Sequence, residues 1–353
     1  MLFSSLTTIQ KLSTSCIRSQ KMSRKRSSVS DLVVTVAKIL SSHTEQASFK
    51  DADAEVLKTS IYQLKSQITS SNPQLQRAHY NEFTRAILTD NTLVDIVNGL
   101  IWLDFDSRKS LISLIAGLAH RSSSCDPADD TNLTLLVNYI LSHQDLLDVL
   151  LDGYKLSQPF HVTTILCEYI KVYSIAETIL LFCAKEQFQR IFSAMSSPNF
   201  DVSSDASVVL KDLLTKHEQL TATFLDQNPQ FFTWFCTLLH SSNYATRRFS
   251  LNLLSTLLLN RANFTAMSRF VESDENLKLI MRLLKDDSAV IRFEAFHVFK
   301  VFVANPKKTE PVLKILKRNK DKLIEHLLSF TTETNSSDFE EEKGFIVDSI
   351  SDL

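Results

Sequence analysis

The chain has 353 residues, 44% apolar and 22% charged, with a formal charge of −2, a composition able to fill a long hydrophobic core. Its four glycines (Gly99, Gly117, Gly153 and Gly344) stand far apart, where ordinary usage gives about twenty-five. That excludes phosphate-cradling loops, dinucleotide fingerprints and serine elbows, which all cluster glycine where backbone must approach a ligand or turn sharply. The five cysteines are odd in number and lack metal or redox spacing, which predicts free thiols in a reducing compartment.

Residues 1–30 carry six basic residues and no acid, and are rich in Ser and Thr. They read as a disordered basic leader. A mitochondrial transit peptide and a start at Met22 are competing readings. From Val33 to Leu328 apolar residues recur at helical spacing with polar turns between them, so 31–332 is expected to be one helical repeat domain. Asp31–Thr69 is its expected N-terminal cap. Within it, Asp51-Ala-Asp53-Ala-Glu55 imitates the start of a calcium loop, but Val56 stands where such a loop needs glycine and Tyr62 where it needs glutamate. Asp104-Phe105-Asp106 imitates a kinase magnesium motif without the rest of a kinase. No histidine pair has zinc spacing, no nucleophile is paired with a base, and neither cofactor nor catalysis is expected.

Self-similarity sets the architecture. Phe200-Asp-Val-Ser-Ser-Asp-Ala206, Tyr244-Ala-Thr-Arg-Arg-Phe-Ser250 and Ala289-Val-Ile-Arg-Phe-Glu-Ala295 begin helices at offsets of 44 and 45 residues. Each places a small residue (Ala206, Ser250, Ala295) where a neighbouring helix can approach. Each ends in an apolar pair: Leu213-Leu214, Leu257-Leu258, Phe302-Val303. The preceding helices repeat as well, through Leu238-Leu239, Leu283-Leu284 and Leu327-Leu328, with Leu150-Leu151 and Trp102-Leu103 continuing the series upstream. A period of 40–47 residues with two or three helices per unit is the armadillo/HEAT signature. The expected fold is therefore an all-α, right-handed superhelical solenoid of five or six units of about 44 residues. Phe231, Phe235, Phe293, Phe296, Phe299 and Phe302 are expected in its inter-unit core. Residues 333–353 hold seven acids and one lysine, and read as an acidic tail, partly disordered, with Ile346 and Ile350 spaced for one short closing helix.

Charge is concentrated near the C-terminus. Thr246–Lys322 contains sixteen Lys/Arg against eight Asp/Glu, a net of +8, which suits an anionic partner. Nucleic acid is disfavoured because the aromatics there sit at core spacing rather than between cations. In Asp274–Lys285 (DENLKLIMRLLK), Leu277, Ile280, Leu283 and Leu284 fall on one helical face, and Lys278, Met281, Arg282 and Lys285 on the other. A methionine among cations forms an adaptable apolar spot for a peptide with aromatic and acidic residues. Arg247-Arg248 opens the adjacent helix at the same groove edge, and armadillo arrays line their groove with the last helix of each unit.

Several strings carry a family resemblance. Asn243-Tyr-Ala-Thr-Arg-Arg-Phe-Ser-Leu251, Leu258-Leu-Asn-Arg-Ala-Asn-Phe-Thr265, Glu275-Asn-Leu-Lys-Leu279 and Phe293-Glu-Ala-Phe-His-Val-Phe-Lys-Val-Phe-Val-Ala-Asn-Pro306 closely resemble the mouse protein 25 family, also called calcium-binding protein 39-like. Phe200–Ala206 and Lys211-Asp-Leu-Leu214 match too. The likeness is strong over Pro198–Leu353 and looser upstream, mainly in Leu103-Asp-Phe105. It implies a non-catalytic, cytoplasmic armadillo-like scaffold in kinase signalling. The implied partners are the Trp-Glu-Phe C-terminal tail of a pseudokinase, sterile-twenty-type protein kinases held in an active conformation, and the liver kinase B complex; no nucleic acid and no membrane are implied. By the same resemblance Arg248, Lys278 and Met281 match the family's tail-binding pocket. Asn252 stands where the family carries lysine, and residues 1–21 have no counterpart. The alternative is an armadillo-type adaptor of another pathway, for example transport, which calls for an acidic groove that the basic tract opposes.

Overall fold

The structure, a computed structural model, describes residues 27–44, 51–121, 127–155, 162–182, 185–330 and 337–353. Leader residues 1–26 and tail residues 333–336 lie outside them. The described residues form twenty α-helices and no strand. In chain order they are α1 Val29–Thr44, α2 Asp51–Ile68, α3 Pro73–Ile87, α4 Thr92–Gly99, α5 Phe105–Arg121, α6 Pro127–Ser142, α7 Asp145–Asp152, α8 Val162–Ile170, α9 Tyr173–Phe182, α10 Lys185–Met195, α11 Phe200–Thr215, α12 Glu218–Gln227, α13 Phe231–Leu239, α14 Tyr244–Leu259, α15 Phe264–Glu272, α16 Asp274–Leu283, α17 Ala289–Ala304, α18 Glu310–Arg318, α19 Lys320–Leu328 and α20 Ser337–Ser351.

Three rows of stacked helices organise the solenoid. The third helices pack in series, α2 on α5, then α8, α11, α14, α17 and α20. The first helices run beside them from α3 through α6, α9 and α12 to α15, and the middle helices α1, α4, α7, α10 and α13 form another consecutive row. The described residues thus form a two-helix cap, α1–α2, followed by six three-helix units. The third helices begin at 200, 244, 289 and 337, steps of 44, 45 and 48, but upstream at 51, 105, 162 and 200, steps of 54, 57 and 38.

The repeat heads are polar caps. Asn199 Oδ1 accepts from the backbone N–H of Asp201 and Val202, Asn243 Oδ1 from Ala245 and Thr246, and Ser288 Oγ from Ile291. Each satisfies donors that a helix start leaves open. Two turns on, Ala206, Ser250 and Ala295 are fully buried, the small residues at which adjacent long helices meet. Gly99 does the same between α1 and α4: a Cβ there would lie 2.5 Å from Leu40 Cβ. Polar ties also cross between units. Arg269 donates to the Leu225 carbonyl at 2.9 Å and to Asp226 Oδ1 at 2.8 Å. Thr246 Oγ1 donates to the Met195 carbonyl at 2.8 Å.

Of the six phenylalanines assigned to the core, Phe231, Phe235, Phe296, Phe299 and Phe302 are fully buried, and Phe293 is half-buried. Leu254 of α14 is likewise closed to solvent. Leu254→Ala should lower unfolding free energy by about 2–5 kcal/mol, because the stacked helices around it cannot all collapse into the space. A urea titration that shows a loss under about 0.5 kcal/mol would place Leu254 outside the core.

The acidic tail contains the closing helix expected around Ile346 and Ile350, and that helix is longer than expected, taking in 337–342 as well. Residues 337–351 are one fifteen-residue helix, α20, the third helix of the last unit. Phe339 inserts among Phe293, Phe296 and Phe330 with ring centroids 5.1–6.0 Å apart. Ile346 and Ile350 are buried two and three turns further on. Lys343 is buried with them, donating to the Phe330 carbonyl at 3.2 Å and to Glu340 at 2.9 Å. Most of the acids occupy the solvated face, so their number does not oppose folding. Asp51, Asp53 and Glu55, the imitation calcium loop, lie in the helical start of α2.

Candidate functional site: a cationic surface around Met281

α16 begins at Ser273, whose Oγ accepts the Asn276 N–H. Its apolar face is buried as its spacing predicts, through Leu277, Ile280, Leu283 and Leu284, joined by Leu279. Lys278, Arg282 and Lys285 are exposed. Met281, placed on the polar face by its spacing, is half-buried and rests against the core rather than facing solvent outright. A flexible thioether held at the surface by packed neighbours is an anchor point that already has a floor.

The surface is not on the expected row. α16 is the middle helix of its unit, packed against α15, α17 and α18, whereas the last helices form the separate α14–α17–α20 stack. The helical wheel finds the exposed face of Asp274–Lys285, but it contains no information about which row the helix joins.

Two parts of the site come together at the turn after α16. Arg247, in the first turn of α14, pairs through Nη2 with Asp286 Oδ2 at 3.4 Å and donates to the Ser241 carbonyl. Arg292 donates to the backbone carbonyls of Asp286 and Asp287 at 2.8 and 2.9 Å. The start of α14, with exposed Arg248, is thereby tied to the end of α16, next to Lys285. Lys285 also lines a polar crevice of about 510 Å³ with Arg292, His326 and Phe330. Among the described residues Arg248, Arg282 and Lys285 have no ion-pair partner, so their charge faces solvent.

Lys278 stands one turn before Met281, at the far end of the surface from Lys285. It lies seven residues before Lys285, about 10 Å along the helix axis. Its ammonium holds Asp274 Oδ2 at 2.8 Å and Glu275 Oε1 at 2.6 Å on its own helix. The hydrogen bond from Lys278 holds the Asp274 carboxyl below its ordinary range, and the same contacts raise the lysine. Exposed helical pairs of this kind are weak, so an incoming carboxylate can exchange with them. Asn252 donates to Glu294 at 3.2 Å.

The structure also shows surface residues that the sequence reading passed over. Phe105, Phe200 and Tyr244 are the first residues of α5, α11 and α14, and each is exposed. They head the third helices of three of the six units, whereas α8, α17 and α20 begin with Val162, Ala289 and Ser337. Their signal was present in the aligned heads Phe200 and Tyr244, where an aromatic follows directly on an asparagine cap.

A profile of the family described as Mo25-like matches residues 20–353. A mouse protein named calcium-binding protein 39-like is 39% identical over 277 residues, covering 77% of this chain and 79% of the relative. The Mo25-like protein of Schizosaccharomyces pombe is 39% identical over 262 residues, covering 73% and 76%. The degreening-related gene dee76 protein of Auxenochlorella protothecoides is 37% identical over 309 residues, covering 86% and 93%. On that coverage, and with an all-helical solenoid beneath it, the chain belongs to the Mo25-like family.

Proposed function

We propose that this protein is a non-catalytic cytoplasmic scaffold of kinase signalling, and that the α16 surface takes the C-terminal tail of a pseudokinase ending in Trp-Glu-Phe. The observation that carries the reading is Met281: a half-buried thioether with Lys278, Arg282 and Lys285 around it and Arg248 tied in through the α14 start. Family membership supports the scaffold role. The aromatic rings of the tail pack on Met281, and the cations orient its glutamate and terminal carboxylate. The exposed aromatics Phe105, Phe200 and Tyr244 supply a second, extended surface for sterile-twenty-type kinases, in keeping with a role in a liver kinase B complex.

Calorimetric titration with a Trp-Glu-Phe-ended peptide tests the reading. Met281→Ala should weaken binding by about 1–3 kcal/mol at any salt, because the lost contact is apolar. Arg248→Ala should weaken it in a manner that fades as ionic strength rises past a Debye length of about 8 Å. Tail affinity unchanged in both variants would place the pocket elsewhere.

A further inference from the structure

A second surface of opposite character lies on the last two units. A groove of about 890 Å³ runs between α15 and α20, over the last turn of α17. Phe264 and Met267 form one wall, Phe345 and Ile346 the other, and Val301 part of the floor. Phe264 and Phe345 are 66% and 62% exposed, and Leu259 beside them 52%. Singly, such residues are ordinary; three around one concavity mark an interaction site.

Its rim is acidic. Glu272, Asp338 and Glu341 line it and make no ion pair among the described residues. Lys300 is neutralised by Glu342 at 2.8 Å, leaving Lys307 as the one cation of the lining without a carboxylate partner. The lining thus has three unpaired acids against one such lysine, a sign opposite to that of the neighbouring Met281 surface. An acidic, Trp-Glu-Phe-type tail is repelled here and attracted there.

We propose that this groove docks a short amphipathic helix of a partner protein, with bulky apolar residues at i, i+3 and i+4 and with Lys or Arg flanking them. The dimensions fit: α15 has nine residues and α20 fifteen, so their walls are about 14 and 22 Å long, two to four helical turns. Apolar side chains entering between Phe264 and Phe345 supply the burial, and the flanking cations meet Glu272, Asp338 and Glu341. The scaffold then carries two docking sites on adjacent units that sort partner segments by charge.

The test uses the full chain and two synthetic fourteen-residue helical peptides with the same leucine face, one flanked by Lys and Arg, the other by Glu. Fluorescence anisotropy should show binding of the basic peptide, weakened at least about fivefold by Phe345→Ala and by Glu341→Lys and unchanged by Met281→Ala. The Trp-Glu-Phe peptide, read in parallel, should respond in the reverse pattern, which separates this site from the tail surface. Equal binding of both leucine peptides, no binding of the basic one, or indifference to Phe345→Ala overturns the proposal. Tighter binding by a peptide of residues 1–26 of this chain, or Phe345-dependent dimerisation in sedimentation, overturns it in favour of the chain itself as occupant.

Discussion

Phe296→Ala should remove about 3–5 kcal/mol of unfolding free energy, among the largest effects of any single substitution in the chain. Phe296 is fully buried in α17, with Phe339 at 5.1 Å and Phe330 at 6.1 Å between ring centroids. α17 is held by α14 on one side and α20 on the other, so neither neighbour can fall into the cavity without losing its own packing. The Ala variant should unfold at lower denaturant with an unchanged slope. A loss below about 1 kcal/mol would mean that the three-helix contact is looser than its burial implies.

Phe339→Ala should cost about as much but act more locally. The ring is the main anchor of α20 against Phe293, Phe296 and Phe330. Its loss leaves Lys343 buried beside an emptied cluster, with a weaker helix to hold it. In a stacked array, stability is a sum of unit and neighbour terms, so the last helix opens first. Hydrogen exchange should accelerate across 337–351 while α11 and α14 keep their protection. Phe345→Ala, six residues on but exposed, should change stability by less than about 0.5 kcal/mol. Because Phe296 and Phe339 touch, the double variant should fall short of the sum of the single losses. Equal exchange in parent and Phe339→Ala proteins would show that α20 is anchored by its later turns.

The C-terminal units were legible in the sequence because local signals agree there. Asn199, Asn243 and Ser288 cap, Ala206, Ser250 and Ala295 allow close approach, and both series keep one period. Upstream the third helices step unevenly, so offset matching reaches only isolated pairs such as Leu150-Leu151. In α20 the core spacing runs Phe339, Lys343, Ile346, Ile350, and a lysine in that series hides it beneath the acids around it. At the site, the composition of the α16 face was readable from helical spacing. The row to which α16 belongs, and the engagement of Lys278 by Asp274 and Glu275, depend on the stack and on rotamers.

One property of the stacking extends to the molecule as a spring. Polar ties between units join residues only about one period apart: Tyr169 to Ile115 across 54 positions, Arg269 to Leu225 across 44, Lys300 to Glu342 across 42. The bond between His217 and the Ile170 carbonyl spans a similar 47 positions. Curvature is therefore the accumulated angle of successive junctions, each free to give slightly without breaking its neighbour's bonds. A partner gripping Phe105 and Tyr244 together would feel a restoring force spread over every junction between them. Substitutions that stiffen one junction would change the fit of a large ligand while leaving a short peptide on α16 untouched.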